Sequence, residues 1–160
     1  MLNWIKFISA FLLALVLVIV TAIFWTAYKP IGGVKDLAEE RVLATKQVEK
    51  IYDVQPHNGD ASIVTITGKN EKGDNVAVFV DLDEEQDKYD EVKLADGISA
   101  KEAMDIVAKE QDVKKVMHVL LGLEEGNPVW EVAFKNERGK LNYVYIRFSD
   151  GEWSKKILNL

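Results

Sequence analysis

The sequence predicts an α+β protein with an N-terminal transmembrane helix and two tandem modules, each a helix packed on an antiparallel sheet. Three observations carry this. Residues 7–28 hold no charged side chain. A strand–turn–strand unit recurs after 66 residues. Each copy is preceded by a segment with helical apolar spacing.

The run Phe7 to Tyr28 has 22 uncharged residues. As a helix it would be roughly 33 Å long, enough to cross a hydrocarbon core of about 30 Å. Lys6 and Lys29 bracket it, and Trp4, Trp25 and Tyr28 lie near its ends, where amphipathic rings favour the headgroup zone. A cleaved signal peptide is the rival, but its apolar region spans only ~7–15 residues. Trp25-Thr26-Ala27 also puts a bulky ring where a cleavage site wants a small residue. The layout is that of a signal anchor, with the N-terminus in the cytoplasm and the C-terminal region outside. Pro30 and Gly32-Gly33 would then interrupt the helix.

Beyond the span, Val34 to Lys50 reads as a helix with Leu37, Ala44, Val48 and Ile51 on one stripe. Ala61–Thr67, the turn Lys69-Asn70-Glu71-Lys72-Gly73 and Asn75–Val80 read as a β-hairpin, closed by a strand over Tyr89–Leu94. The second half starts with a capping box, in which Ser99 and Glu102 answer each other's amides, followed by Ala103, Ile106 and Val107 on one helical face. Ser99 is therefore a structural cap and not a nucleophile. Val113–Leu123 is a strand. The second hairpin repeats the first as Asn127–Phe134, Lys135-Asn136-Glu137-Arg138-Gly139 and Leu141–Phe148, and Glu152–Leu158 closes it. The expected boundaries are a short cytoplasmic N-terminus over 1–6, the anchor over 7–28, a hinge over 29–33, a first module over 34–94, a linker over 95–98 and a second module over 99–160. Units of about 60 residues are marginal alone, so the two should pack on each other.

Period-2 alternation places Trp130, Val132, Phe134, Val144, Ile146 and Phe148 toward the helix. The other face then shows Tyr143, Tyr145, Arg147 and Glu131, a composition common in protein contacts. By the 66-residue shift Phe79 matches Tyr145. These residues could equally pack against the first half.

Little in the chain points to chemistry. The formal charge is −6 and there is no Cys. That composition excludes disulfide, zinc-ribbon and iron–sulfur classes and argues against nucleic acid as partner. His57, after Pro56 and before Asn58-Gly59, reads as a turn residue. His118 sits in an apolar strand, and neither has a partner at metal spacing. No phosphate loop, Ser-x-x-Lys or His-Glu-x-x-His motif occurs. The acidic stretch Asp81–Glu91 could offer oxygens to Ca²⁺, yet it lacks EF-hand spacing and reads as a solvated loop. No catalytic residue, metal, cofactor or small-molecule substrate is expected.

Ile98-Ser99-Ala100-Lys101-Glu102-Ala103, the strand after it, Val129-Trp130-Glu131-Val132, Tyr143-Val144-Tyr145-Ile146 and the closing Asp150-Gly151-Glu152 together resemble a PepSY domain. Ser149-Asp150-Gly151 stands where such repeats usually carry a Thr-Gly turn, and Asp-Gly serves the same geometry. The whole layout resembles the membrane-anchored TseB-like (YpmB) family of Bacillus-type Firmicutes. That resemblance implies two cystatin-like, PepSY-like repeats outside the membrane. It also implies a non-catalytic regulator of cell-wall elongation that works with a membrane-anchored penicillin-binding transpeptidase. The alternative is a PepSY-type peptidase inhibitor or propeptide-like module at the cell surface.

Overall fold

The computed structural model describes residues 2–57, 63–84, 86 and 88–160, with the side chains of 2–3 and 26–32 left aside. The chain divides into two compact units, Met1–Val34 and Lys35–Leu160. In order the elements are α1 (Leu2–Thr45), β1 (Lys50–Pro56), β2 (Ile63–Lys69), β3 (Asn75–Asp81), β4 (Asp90–Lys93), a 3-10 turn (Leu94–Asp96), α2 (Ala100–Glu110), β5 (Lys115–Glu124), β6 (Asn127–Lys135), β7 (Leu141–Arg147) and β8 (Trp153–Ile157). The strands form two four-stranded antiparallel sheets, β1-β2-β3-β4 and β5-β6-β7-β8.

Two expectations about the first helix are corrected. α1 is continuous through Pro30 and Gly32-Gly33. A proline's fixed φ is compatible with a helix; its missing N–H costs one backbone hydrogen bond, which need not end a long helix. At the other end α1 stops at Thr45, where Lys46 turns left-handed (φ 56°) and the Thr45 hydroxyl donates to Val42 O at 2.7 Å. The buried helical stripe is Ala38 and Val42, while Leu37 is exposed. Val48 and Ile51 imitate helical spacing, but Lys50–Pro56 is the strand β1, which the periodicity does not reveal.

The two halves agree in detail. Asn70 N–H donates to Asp74 O at 3.0 Å and Gly73 N–H to Asn70 O at 2.9 Å, while Asn70 Oδ1 accepts from the amides of Lys72 and Asp74. Asn136 repeats each bond with Lys140, Gly139, Arg138 and Lys140. Gly73 (φ 84°) and Gly139 (φ 75°) supply the left-handed residue that both turns need. A bulge also recurs, between Ile51 and Asp53 in β1 and between Val116 and His118 in β5. Shared topology, turn and bulge fit an internal duplication.

α2 begins with the expected capping box: Ser99 N–H donates to Glu102 Oε2 at 2.8 Å, and Glu102 N–H donates to Ser99 Oγ at 3.2 Å. Its face bearing Ala103 and Val107 packs on Val132, Phe134, Val144 and Ile146. A second cluster joins the sheets: Ala77 and Phe79 meet Leu121 and Phe148. Phe148 was expected toward the helix. It lies one residue past the end of β7, so the strand alternation no longer fixes its direction. The Thr65 hydroxyl donates to Leu121 O at 2.7 Å and ties β2 to β5.

Candidate functional site

The segment Trp4–Trp25 has a mean hydropathy of 3.0 and none of it is buried. It is a candidate single membrane span by length and composition. Trp4 and Trp25 are exposed, at 71% and 68%, and Lys6 is exposed as well. The side chains of Tyr28 and Lys29 fall outside the described residues.

In Lys35–Leu160 the outer face of the second sheet carries a polar cluster. Glu131 on β6 pairs in register with Leu120 on β5 and Tyr145 on β7, and Tyr145 pairs with Lys155 on β8. His118 Nε2 lies 2.7 Å from Glu131 Oε1, and the His118 and Tyr143 rings are 6.2 Å apart. Lys155 Nζ sits 5.5 Å from the centre of the Tyr145 ring and ion-pairs with Glu124. Burial and the neighbouring Glu131 carboxylate push the Tyr145 phenol well above the usual phenol range. Glu131 is only 4% exposed, so it needs these neighbours. The cluster's polar groups answer one another across four strands, which makes it a structural network. Among the described residues, no group of three or more His, Asp or Glu converges as a metal site.

The four expected contact residues do not form one surface. Phe79 is buried between the two sheets, because the second half covers that face of the first. Tyr145 is buried beneath Lys155. Tyr143 and Arg147 are half-exposed on β7. Arg147 donates to Glu152 Oε2 at 2.7 Å and approaches Asp150 Oδ2 at 3.2 Å.

Arg147 also reaches a feature that sequence reasoning missed. A cleft of about 600 Å³ lies between β4 and the Pro128–Phe148 end of the second sheet, lined by Lys88, Glu91, Val92, Lys93, Pro128 and Arg147 among others. Lys93 ion-pairs with Asp74 at 2.8 Å; that contact holds the Asp74 carboxyl below its usual range and the Lys93 ammonium above its own. Packing of the two halves creates this cleft, so no local pattern announces it.

His57 follows the end of β1 and is buried, at 6% exposure; its backbone N–H donates to Ile63 O at 2.9 Å, and its ring lies against Gly122. A Cβ at Gly122 would fall 2.5 Å from His57 Nδ1, so this position takes only glycine without movement. Asn58 and Gly59 lie outside the described residues. In the acidic stretch, where residues 85 and 87 lie outside the described residues, Arg41 Nη1 donates to the carbonyls of Asp81, Leu82 and Glu84 at 3.0, 3.1 and 3.0 Å.

Residues 38–81 match the family model described as the cell wall elongation regulator TseB-like domain. Among solved structures, the YpmB protein from Bacillus subtilis is similar in fold, with a TM-score of 0.69 and 24% sequence identity over 77% of this chain and 95% of that one. No curated protein matches the chain.

Proposed function

We propose that this chain, whose residues 38–81 match a TseB-like domain model and whose fold is similar to that of YpmB, is a membrane-tethered, extracytoplasmic, non-catalytic binding module. It regulates cell-wall elongation through contact with a membrane-anchored penicillin-binding transpeptidase. The observation that carries this reading is the match of residues 38–81 to a domain described as a regulator. The exposed apolar helix supports the tether. Lys6 stays cytoplasmic, residues 7–28 act as an uncleaved signal anchor, and the cystatin-like, PepSY-like modules over 34–94 and 99–160 stand outside. Tethering confines both proteins to one surface, which raises effective concentration so that a modest contact suffices. Of the expected contact residues, Tyr143 and Arg147 have the accessible surface to make it.

The test places a photo-crosslinking residue at position 143 of the full chain in its host membrane. A crosslinked band that also binds fluorescent penicillin is expected. Crosslinking to a secreted peptidase, or to no penicillin-binding protein while the tether is intact, overturns the reading.

A further inference from the structure

A row of four residues crosses one end of the second sheet. Lys115 on β5 pairs in register with Lys135 on β6, and Lys135 pairs with Leu141 on β7. Leu160 extends the row by exchanging backbone hydrogen bonds with Leu141 at 3.0 and 3.4 Å. Residues paired in register share a face, so all four stand on the outer side, with Glu131 and Tyr143. Leu160 is 60% exposed, and Met117, left unpaired by the β5 bulge, adds apolar area at the same end with 48% exposure.

Two lysines directly opposite each other repel. Both are exposed, and among the described residues neither makes an ion pair. The surroundings do not neutralise them. Residues 109–116, 135–141 and 156–160, which make up this end of the second half, hold seven basic and three acidic side chains, ion-paired ones included, whereas residues 30–160 as a whole hold 18 and 26. An anionic surface would offset the repulsion. The first half repeats the lysine pair as Lys50↔Lys69, but polar Asn75 follows it where the second half has Leu141. The union of lysines with exposed leucine thus belongs to the second half.

The side on which this face lies narrows the occupant. Gly122 pairs with Val129 on the outer face, and a Cβ there would point at His57, just past the end of β1. His57 is bonded to Ile63, and Ile63 pairs with Asp81, whose carbonyl accepts from Arg41 of α1. Farther along the chain, Glu49 N–H reaches Lys69 O at the opposite end of the first sheet. Within Lys35–Leu160, therefore, α1 starts on the side toward which the outer face of the second sheet looks. From Lys35 the chain leads to the apolar segment through residues 26–34, which even fully extended would span at most about 35 Å. Basic side chains beside exposed apolar ones suit the headgroup zone of an anionic bilayer.

We propose that the Lys115–Lys135 end of this face rests on the bilayer that holds the tether, with the two lysines at anionic phospholipid headgroups and Leu160 and Met117 in the interfacial zone. The Arg147 end of the face stays open to a protein partner. The inference rests on the tether reading and adds a second, charge-dependent point of attachment to the same membrane.

The test uses the full chain, one copy per nanodisc, in phosphatidylglycerol or phosphatidylcholine containing a lipid with a nitroxide near its headgroup. The chain has no Cys, so a fluorescent dye can be placed by Leu160→Cys, by Ala108→Cys on the exposed side of α2, or by Val16→Cys in the apolar segment. The dye at 160 should be quenched about threefold in phosphatidylglycerol and little in phosphatidylcholine, and the dye at 108 in neither. Lys135→Gln should weaken the contact about fivefold without moving the thermal midpoint, and 0.5 M salt should weaken it as well. No quenching at 160, equal quenching in both lipids, equal quenching at 108, or indifference to Lys135→Gln would overturn the proposal. Quenching at 160 that needs two copies per disc would assign the face to a second chain and also overturn it. The dye at 16 reports the tether itself and should be quenched in both lipids. Quenching at 16 but not at 160 sinks this inference and leaves the tether standing. The reverse result removes the tether and keeps the surface contact.

Discussion

Thr65, Ala77 and Phe79 in the first half occupy the strand positions of Glu131, Tyr143 and Tyr145 in the second. The first set is buried against the second half, with Phe79 at 3% exposure beside Leu121 and Phe148. The second set closes over itself, with Glu131 shared between His118 and the Tyr145 phenol and Lys155 laid across the ring. A sheet face covered by protein can be plainly apolar. A face that meets water must combine apolar ring area with polar tips. The duplication thus preserves strands, turn and bulge, while the side chains on this face follow what lies over them.

The helix-facing sides differ as well. Phe134 fills the space under α2, whereas its counterpart is Gly68. A Cβ on Gly68 would fall 2.4 Å from Val48 Cγ1 and 2.5 Å from Lys50 O. In the first half β1 crowds that spot, so the two cores are packed differently.

The sharpest way to break this comparison is Phe79→Ala against Tyr145→Phe, followed by urea denaturation of the full chain in detergent. Phe79→Ala should cost about 3–5 kcal/mol as a cavity between the sheets. Tyr145→Phe, losing one partner of Glu131, should cost about 1 kcal/mol. Equal costs would mean that the two faces are not differently covered. Next in size is Gly68→Ala, which forces β1 from β2 and should cost about 1–3 kcal/mol; a neutral result would show that the crowding is absent.

Ser99→Ala should cost about 1 kcal/mol by removing the cap of α2. This effect depends on pH. The backbone and side chain of Ser99 hold the Glu102 carboxyl below its ordinary 4.5. A carboxyl depressed on folding stabilises fully above its unfolded value and loses that contribution as pH falls through the folded one. The gap between Ser99→Ala and the parent protein should therefore narrow on acidification, and a gap constant with pH would refute the box. Smallest are Asn70→Ala and Asn136→Ala, each removing a side-chain acceptor for two turn amides at about 0.5–1 kcal/mol. The two costs should match within a few tenths of a kcal/mol, and a clear inequality in thermal denaturation would mean that the turns are not equivalent in energy.

Much of the fold was legible because its signals are local. The Asn-x-x-Gly turn, the Ser99–Glu102 box and the alternation of Trp130, Val132 and Phe134 each act within a few residues. β1 was hidden because Val48 and Ile51 stand at a helical interval, and the stop at Lys46 depends on a left-handed residue that is not glycine. The contact face was only half legible. Alternation placed Tyr143, Tyr145 and Arg147 on one side of β7, but not how deeply each is buried.

The chain order alone fixed a charge-free span long enough for a bilayer and two copies of a strand–turn–strand unit, since these follow from hydropathy and short-range hydrogen bonding. Tertiary structure alone decided that Phe79 is core, that His57 lies against Gly122 and that β4 opens onto a cleft. Those outcomes depend on which residues distant in sequence come to lie against each other, and burial is a property of that packing.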